Sequence, residues 1–135
     1  MKAGNKYGRQ EKTKSRKQVE QLFESGKSIS VFPLKIFYMP VAEQMDFPLK
    51  TGVSVSSRNF KKAVDRNRIK RLLREAYRTE KHVLIEKLEQ SQQQLVCFII
   101  YTGKTLPSLN DLQLKIKTVI KKLSETVDEK NPANT

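Results

Sequence analysis

The sequence predicts an α+β sandwich with the element order α-β-β-β-α-β-α. Three observations carry that reading. The stretch 61–81, KKAVDRNRIKRLLREAYRTEK, holds no Gly or Pro and repeats its apolar residues at helical spacing. The segment KTGVSVS alternates strictly, and LVCFIIY is a continuous apolar run of strand length, so strands stand before and after that helix.

From the N-terminus, residues 1–12 are almost devoid of apolar side chains and are expected to be a basic, disordered tail. Ser15-Arg-Lys-Gln18 has the form of a capping box; Val19, Leu22 and Phe23 give the helix that follows one apolar edge, and Gly26 stops it. SISVFPLKIFYM, at 28–39, is rich in β-branched and aromatic residues. Pro33 divides it, because proline donates nothing to a strand ladder, and a strand is expected from Leu34 to Met39. PVAEQMDFPL, at 40–49, reads as a loop.

In KTGVSVS, residues 50–56, Thr51, Val53 and Val55 form a face fit for the core, and Gly52, Ser54 and Ser56 the other. The second face is small and polar and leaves room for something to lie against the sheet. The long helix is expected to run from Lys61 to about Leu88, ended by the polar EQSQQQ. Leu95–Tyr101 suits a central strand covered on both faces. A second capping box at Ser108–Asp111 opens a last helix with the stripe Leu109, Leu112, Ile116, Val119, Ile120 and Leu123. The folded domain is expected to span 13–125, with 126–135 as a frayed tail.

Charge placement speaks to function. The chain of 135 residues has a formal net charge of +13 and an isoelectric point near 10. Residues 1–17 hold seven Lys/Arg against one Glu, a net of +6, and residues 58–81 hold ten against three acids, a net of +7. The remaining segments, 18–57 at −1 and 82–135 at +1, cancel. Such clustering points to a polyanion footprint, nucleic acid first. Within the helix, Ile69, Leu72, Leu73, Ala76 and Tyr77 form one stripe. Asn67, Lys70, Arg71, Arg74 and Arg78 fan across the other side, with Arg68 at its edge. The planar guanidinium fork of Arg suits phosphate and base contacts, and the apolar stripe is needed for the core rather than for a membrane surface.

Catalytic groups are harder to find. The acids are scattered singly, His82 stands alone in a polar stretch, and neither a nucleotide-binding glycine loop nor a metal-ligand spacing occurs. Cys97 is a lone cysteine inside an apolar run and reads as a small buried hydrophobe. No apolar run is long enough to span a bilayer and no secretory signal opens the chain, so a soluble, cytoplasmic protein is expected, with no membrane partner.

At VSVSSRNFKKAVDRNRIKRLLREAYR, residues 53–78, the sequence resembles the bacterial ribonuclease P protein component. That family's pattern is a strand ending S-V-S-K-K, a short connection, and A-V-x-R-N-R-I-K-R-x-x-R-E-A. Ala63, Val64, Arg66, Asn67, Arg68, Ile69, Lys70, Arg71, Arg74, Glu75 and Ala76 match it, and F-x-x-G at Phe23–Gly26 agrees as well. The chain departs from the pattern at Ser57, at Lys61-Lys62 and at Val19.

The resemblance implies a four-stranded sheet with a left-handed β-α-β crossover, the fold of the second domain of a small-subunit ribosomal protein. It further implies that a catalytic RNA, holding Mg2+, cleaves the 5′ leader from precursor tRNA, with one protein per RNA and no metal bound by the protein alone. Arg66, Asn67, Arg68, Lys70, Arg71 and Arg74 would face the catalytic RNA. Val19, Phe23, Phe37, Ser54 and Arg58 would line a cleft for the leader. A free-standing, ribosome-associated RNA-binding protein is the alternative, and a protein-only nuclease is disfavoured by the scattered acids.

Overall fold

The computed structural model describes residues 16–41 and 47–130, without the side chains of residues 16–19, 25 and 128–130. The expected basic tail and the Ser15 side of the first capping box lie outside the described residues. Helix α1 spans Arg16–Ser25, followed by strands β1 (Lys27–Val31), β2 (Leu34–Pro40) and β3 (Leu49–Val55). Helix α2 (Ala63–Ser91), strand β4 (Leu95–Tyr101) and helix α3 (Leu109–Lys130) complete the chain.

The expected order is therefore the observed one. Pro33 sits in the β1–β2 turn, after a cis Phe32–Pro33 peptide, where the missing amide removes nothing from the ladder. The sheet order is β1-β2-β4-β3. β1–β2 and β2–β4 are antiparallel, whereas β3 and β4 are parallel neighbours joined through α2.

Strand periodicity divides the sheet into two unlike faces. Leu34, Ile36 and Tyr38 of β2, Leu49, Thr51 and Val55 of β3, and Leu95, Cys97, Ile99 and Tyr101 of β4 turn to one side. There they meet Ile69, Leu73, Tyr77, Leu84 and Leu88 of α2 and Leu112, Ile116, Val119 and Leu123 of α3 in one core. The Thr51 hydroxyl donates to the Tyr77 hydroxyl at 2.7 Å and lies 3.3 Å from Cys97 Sγ, so polar groups from three elements are paired inside it. Burial pushes the Cys97 thiol up to about 11, with the Thr51 contact opposing the shift, so the thiolate is scarce at neutral pH and the side chain behaves as a hydrophobe.

The other face departs from expectation. β4 is fully covered on both sides only at Leu95–Cys97, while Phe98 and Ile100 stay half-buried. Among the described residues the cover here is α1, ten residues long, which buries Leu22, while Phe37 and Ser54 on that face stay half-buried.

The helix ends also differ. α2 begins at Ala63, two residues after the expected start, with Lys62 at its N-cap and no side-chain cap. It ends inside the expected polar stretch, where Gln92 takes a left-handed conformation (φ 56°). The Gln93 amide donates back to the Leu88 carbonyl at 2.9 Å, closing a Schellman turn. A Cβ is strained at such a position, so Gln92→Gly is expected to raise stability by about 0.5 kcal/mol, read from the denaturation midpoint. α3 opens as expected, the Ser108 hydroxyl accepting the Asp111 amide at 3.2 Å. It runs on to Lys130 with Val127 in the core, so the backbone is helical beyond residue 125, where a frayed tail was expected.

Candidate RNA interface

The basic face of α2 is built by the same periodicity that builds the core. Ile69, Leu73, Ala76 and Tyr77 are buried, and Leu72 packs against them partly exposed. Asn67, Arg68 and Arg71 are exposed, and Lys70 and Arg74 are half-buried on the flank. Five of the six residues assigned to RNA contact thus offer their side chains along the N-terminal half of one helix.

Arg66 is the exception. It lies seven residues before Leu73, which at roughly 100° per residue puts it over the buried stripe rather than on the open face. Its Nη1 donates to the Phe60 and Lys61 carbonyls, both at 2.8 Å. The guanidinium thereby fixes the start of a helix that lacks a side-chain cap. Arg78 is occupied too, since it forms a bidentate pair with Glu75, its Nε donating to Oε1 at 3.1 Å. That hydrogen bond holds the Glu75 carboxyl below its ordinary range and raises the Arg78 guanidinium.

The cleft residues come together in part. Phe23 of α1, 43% exposed, meets Phe37 of β2 edge to face, with ring centroids 4.9 Å apart at 81°. Ser54 points to the same open sheet face, paired in register with Ile100, two residues along β4 from Phe98. Arg58 stands apart from the aromatic rings. It lies beyond the end of β3 in a polar recess of about 760 Å³, which it lines with Ser56, Ser57, Asn59 and Lys104. From Gly52 the start of this recess is four residues away, roughly 13 Å along the strand. The Val19 side chain lies outside the described residues.

Three further residues join the site. Phe98 packs on Phe23 with centroids 5.5 Å apart at 78°, Lys35 Nζ stands 5.3 Å from the centre of the Phe37 ring, and Lys104 lines the recess together with Arg58. Lys35 was findable, since it shares the two-residue period of Phe37 within β2. Phe98 was not, because an unbroken apolar run gives no sign of which face stays open. Lys104 comes from a separate loop that only the fold brings near.

Among the described residues, no group of three or more His, Cys, Asp or Glu comes together as a metal site, and no helix is long and apolar enough to cross a membrane. The arrangement offers cations, aromatic faces and small polar groups, which are binding chemistry.

The chain is similar to known proteins in sequence and in fold. The family described as Ribonuclease P matches residues 7–124. The ribonuclease P protein component of Porphyromonas gingivalis is 34% identical over 98 residues, covering 73% of this chain and 72% of that protein. Its counterpart from Chlorobaculum tepidum is 31% identical over 128 residues, covering 88% and 83%. In fold, the solved structure of the Staphylococcus aureus RNase P protein superposes with a TM-score of 0.66 at 20% identity, over 84% of this chain and 94% of that one. The chain belongs to the ribonuclease P protein family, whose members assist an RNA subunit in processing the 5′ end of tRNA.

Proposed function

We propose that this chain anchors on the catalytic RNA through Asn67, Arg68, Lys70, Arg71 and Arg74, with Arg66 holding the start of that helix. The single-stranded 5′ leader of precursor tRNA then lies on the open sheet face beside α1. Its bases meet Phe23 and Phe37, its backbone passes Ser54, and its phosphates reach Arg58 and Lys104 in the recess. Val19 is assigned to the same cleft from its place in α1. The Mg2+ ions that carry out hydrolysis are held mainly by the RNA. The protein screens phosphate repulsion and so favours both substrate binding and ion occupancy. One protein serves each RNA, in the cytoplasm.

Continuity is the observation that carries this reading. β3 runs from the aromatic row through Ser54 into the Ser56–Asn59 recess, and α2 opens at Ala63, four residues beyond Asn59. A single strand leaving the cleft would therefore meet positive charge all the way to the anchoring helix.

The test is cleavage of a leader-bearing precursor by a bacterial ribonuclease P RNA at low Mg2+, with and without the protein. Added protein should increase correctly placed cleavage; no increase would reject the reading, and cleavage by the protein alone would reject the assignment of catalysis to RNA. In the same assembly, Phe23→Ala is expected to weaken precursor binding about tenfold, the scale of one lost base–aromatic contact, and to leave mature tRNA binding unchanged. Equal losses for both would count against the leader cleft.

A further inference from the structure

Gly52 sits in the interior of edge strand β3, where a residue without a side chain gives up packing and costs conformational entropy. No left-handed backbone torsion calls for glycine there, since Gln92 is the only described residue other than glycine with positive φ and Gly52 itself shows none. What the position requires is space. A Cβ built on Gly52 would lie 2.5 Å from both Cδ1 and Cε1 of Phe98, its register partner on β4. The Phe98 ring therefore occupies the volume that any side chain at residue 52 would fill.

The ring is held on its other sides as well. Phe37 is its register partner on β2, and Phe23 meets it nearly at right angles from α1. Yet Phe98 remains half-buried on the open face. A large apolar ring kept in place by three neighbours, and still partly open beside small polar groups, has the form of a stacking surface for a flat ligand.

We propose that Phe98, seated over Gly52, is a stacking platform for one unpaired nucleobase of the leader. The inference rests on the leader-cleft reading and adds to it a defined subsite of Phe98 and Gly52. The competing account is structural: an aromatic ring shielding a strand glycine serves the sheet alone.

Precursor tRNAs carrying one abasic nucleotide at successive leader positions separate the two accounts. Binding is measured with the protein assembled on a bacterial ribonuclease P RNA. The unsubstituted protein should lose roughly tenfold in affinity when the stacked base is removed. Phe98→Leu, which keeps the apolar bulk and loses the ring, should erase that position's sensitivity and preserve the rest of the profile. Phe98→Tyr should restore it.

An abasic profile unchanged by Phe98→Leu overturns the proposal and leaves the shielding role. So does an unsubstituted enzyme that prefers precursor to mature tRNA yet shows no abasic-sensitive position. An enzyme that binds precursor and mature tRNA alike would instead remove the cleft reading on which the proposal stands.

Discussion

Replacing both Arg68 and Arg71 with Ala is expected to weaken binding to the ribonuclease P RNA by about a hundredfold at moderate salt. Both side chains are exposed on the open face of α2, neither takes part in the core, and each can supply a charge-assisted contact worth roughly 1.5–3 kcal/mol. The salt dependence carries the sharper test. Each lost phosphate contact removes about one from the slope of log affinity against log salt, so the double variant should be flatter by roughly two. Thermal stability should be nearly unchanged, because substitutions on an exposed face without a partner fall within about 0.5 kcal/mol. An unchanged slope would mean that RNA docks on another face.

Gly26→Ala is expected to act through the fold and to separate the two binding functions. A Cβ there would lie 2.3 Å from the Leu22 carbonyl oxygen and 3.0 Å from that of Tyr38, and backbone atoms have little room to yield. Gly26 is where α1 ends and turns onto β1, its amide donating to the Leu22 carbonyl at 2.8 Å. Relief of the clash must shift α1 off the sheet, at a cost of about 1–3 kcal/mol in stability. Phe23 and Leu22 would move with it, disturbing the aromatic cluster, while the core beneath α2 and α3 does not include α1. The expected outcome is a lower denaturation midpoint and a reduced preference for precursor over mature tRNA, with affinity for the catalytic RNA kept. Loss of all three together would mean that α1 supports the whole domain.

The fold was legible in the sequence wherever a periodicity has only one solution. The alternation of KTGVSVS assigned Thr51 and Val55 inward and Ser54 outward, and the helical stripe assigned Ile69, Leu73 and Tyr77 to the core. What sequence left open was governed by contacts distant along the chain. Arg66 reads as one more arginine in a basic field until the Phe60 and Lys61 carbonyls are seen beside it. Phe98 reads as core until the short length of α1 is known. In the same way, α3 runs past residue 125 with Val127 buried in the core, a tertiary contact that no local signal announces.

The alternation of β3 has a consequence for how such a protein can diverge. Inward positions of this seven-residue strand belong to the core, whereas on its outward side Gly52 is fixed by the Phe98 ring and Ser54 lies outside the core. Substitutions at Ser54, or at exposed Lys35 two strands away across Ile100, can thus retune the open sheet surface without entering the core. Single exchanges on this face would change its chemistry while the arginine-bearing face of α2, on the other side of the sheet, stays as it is.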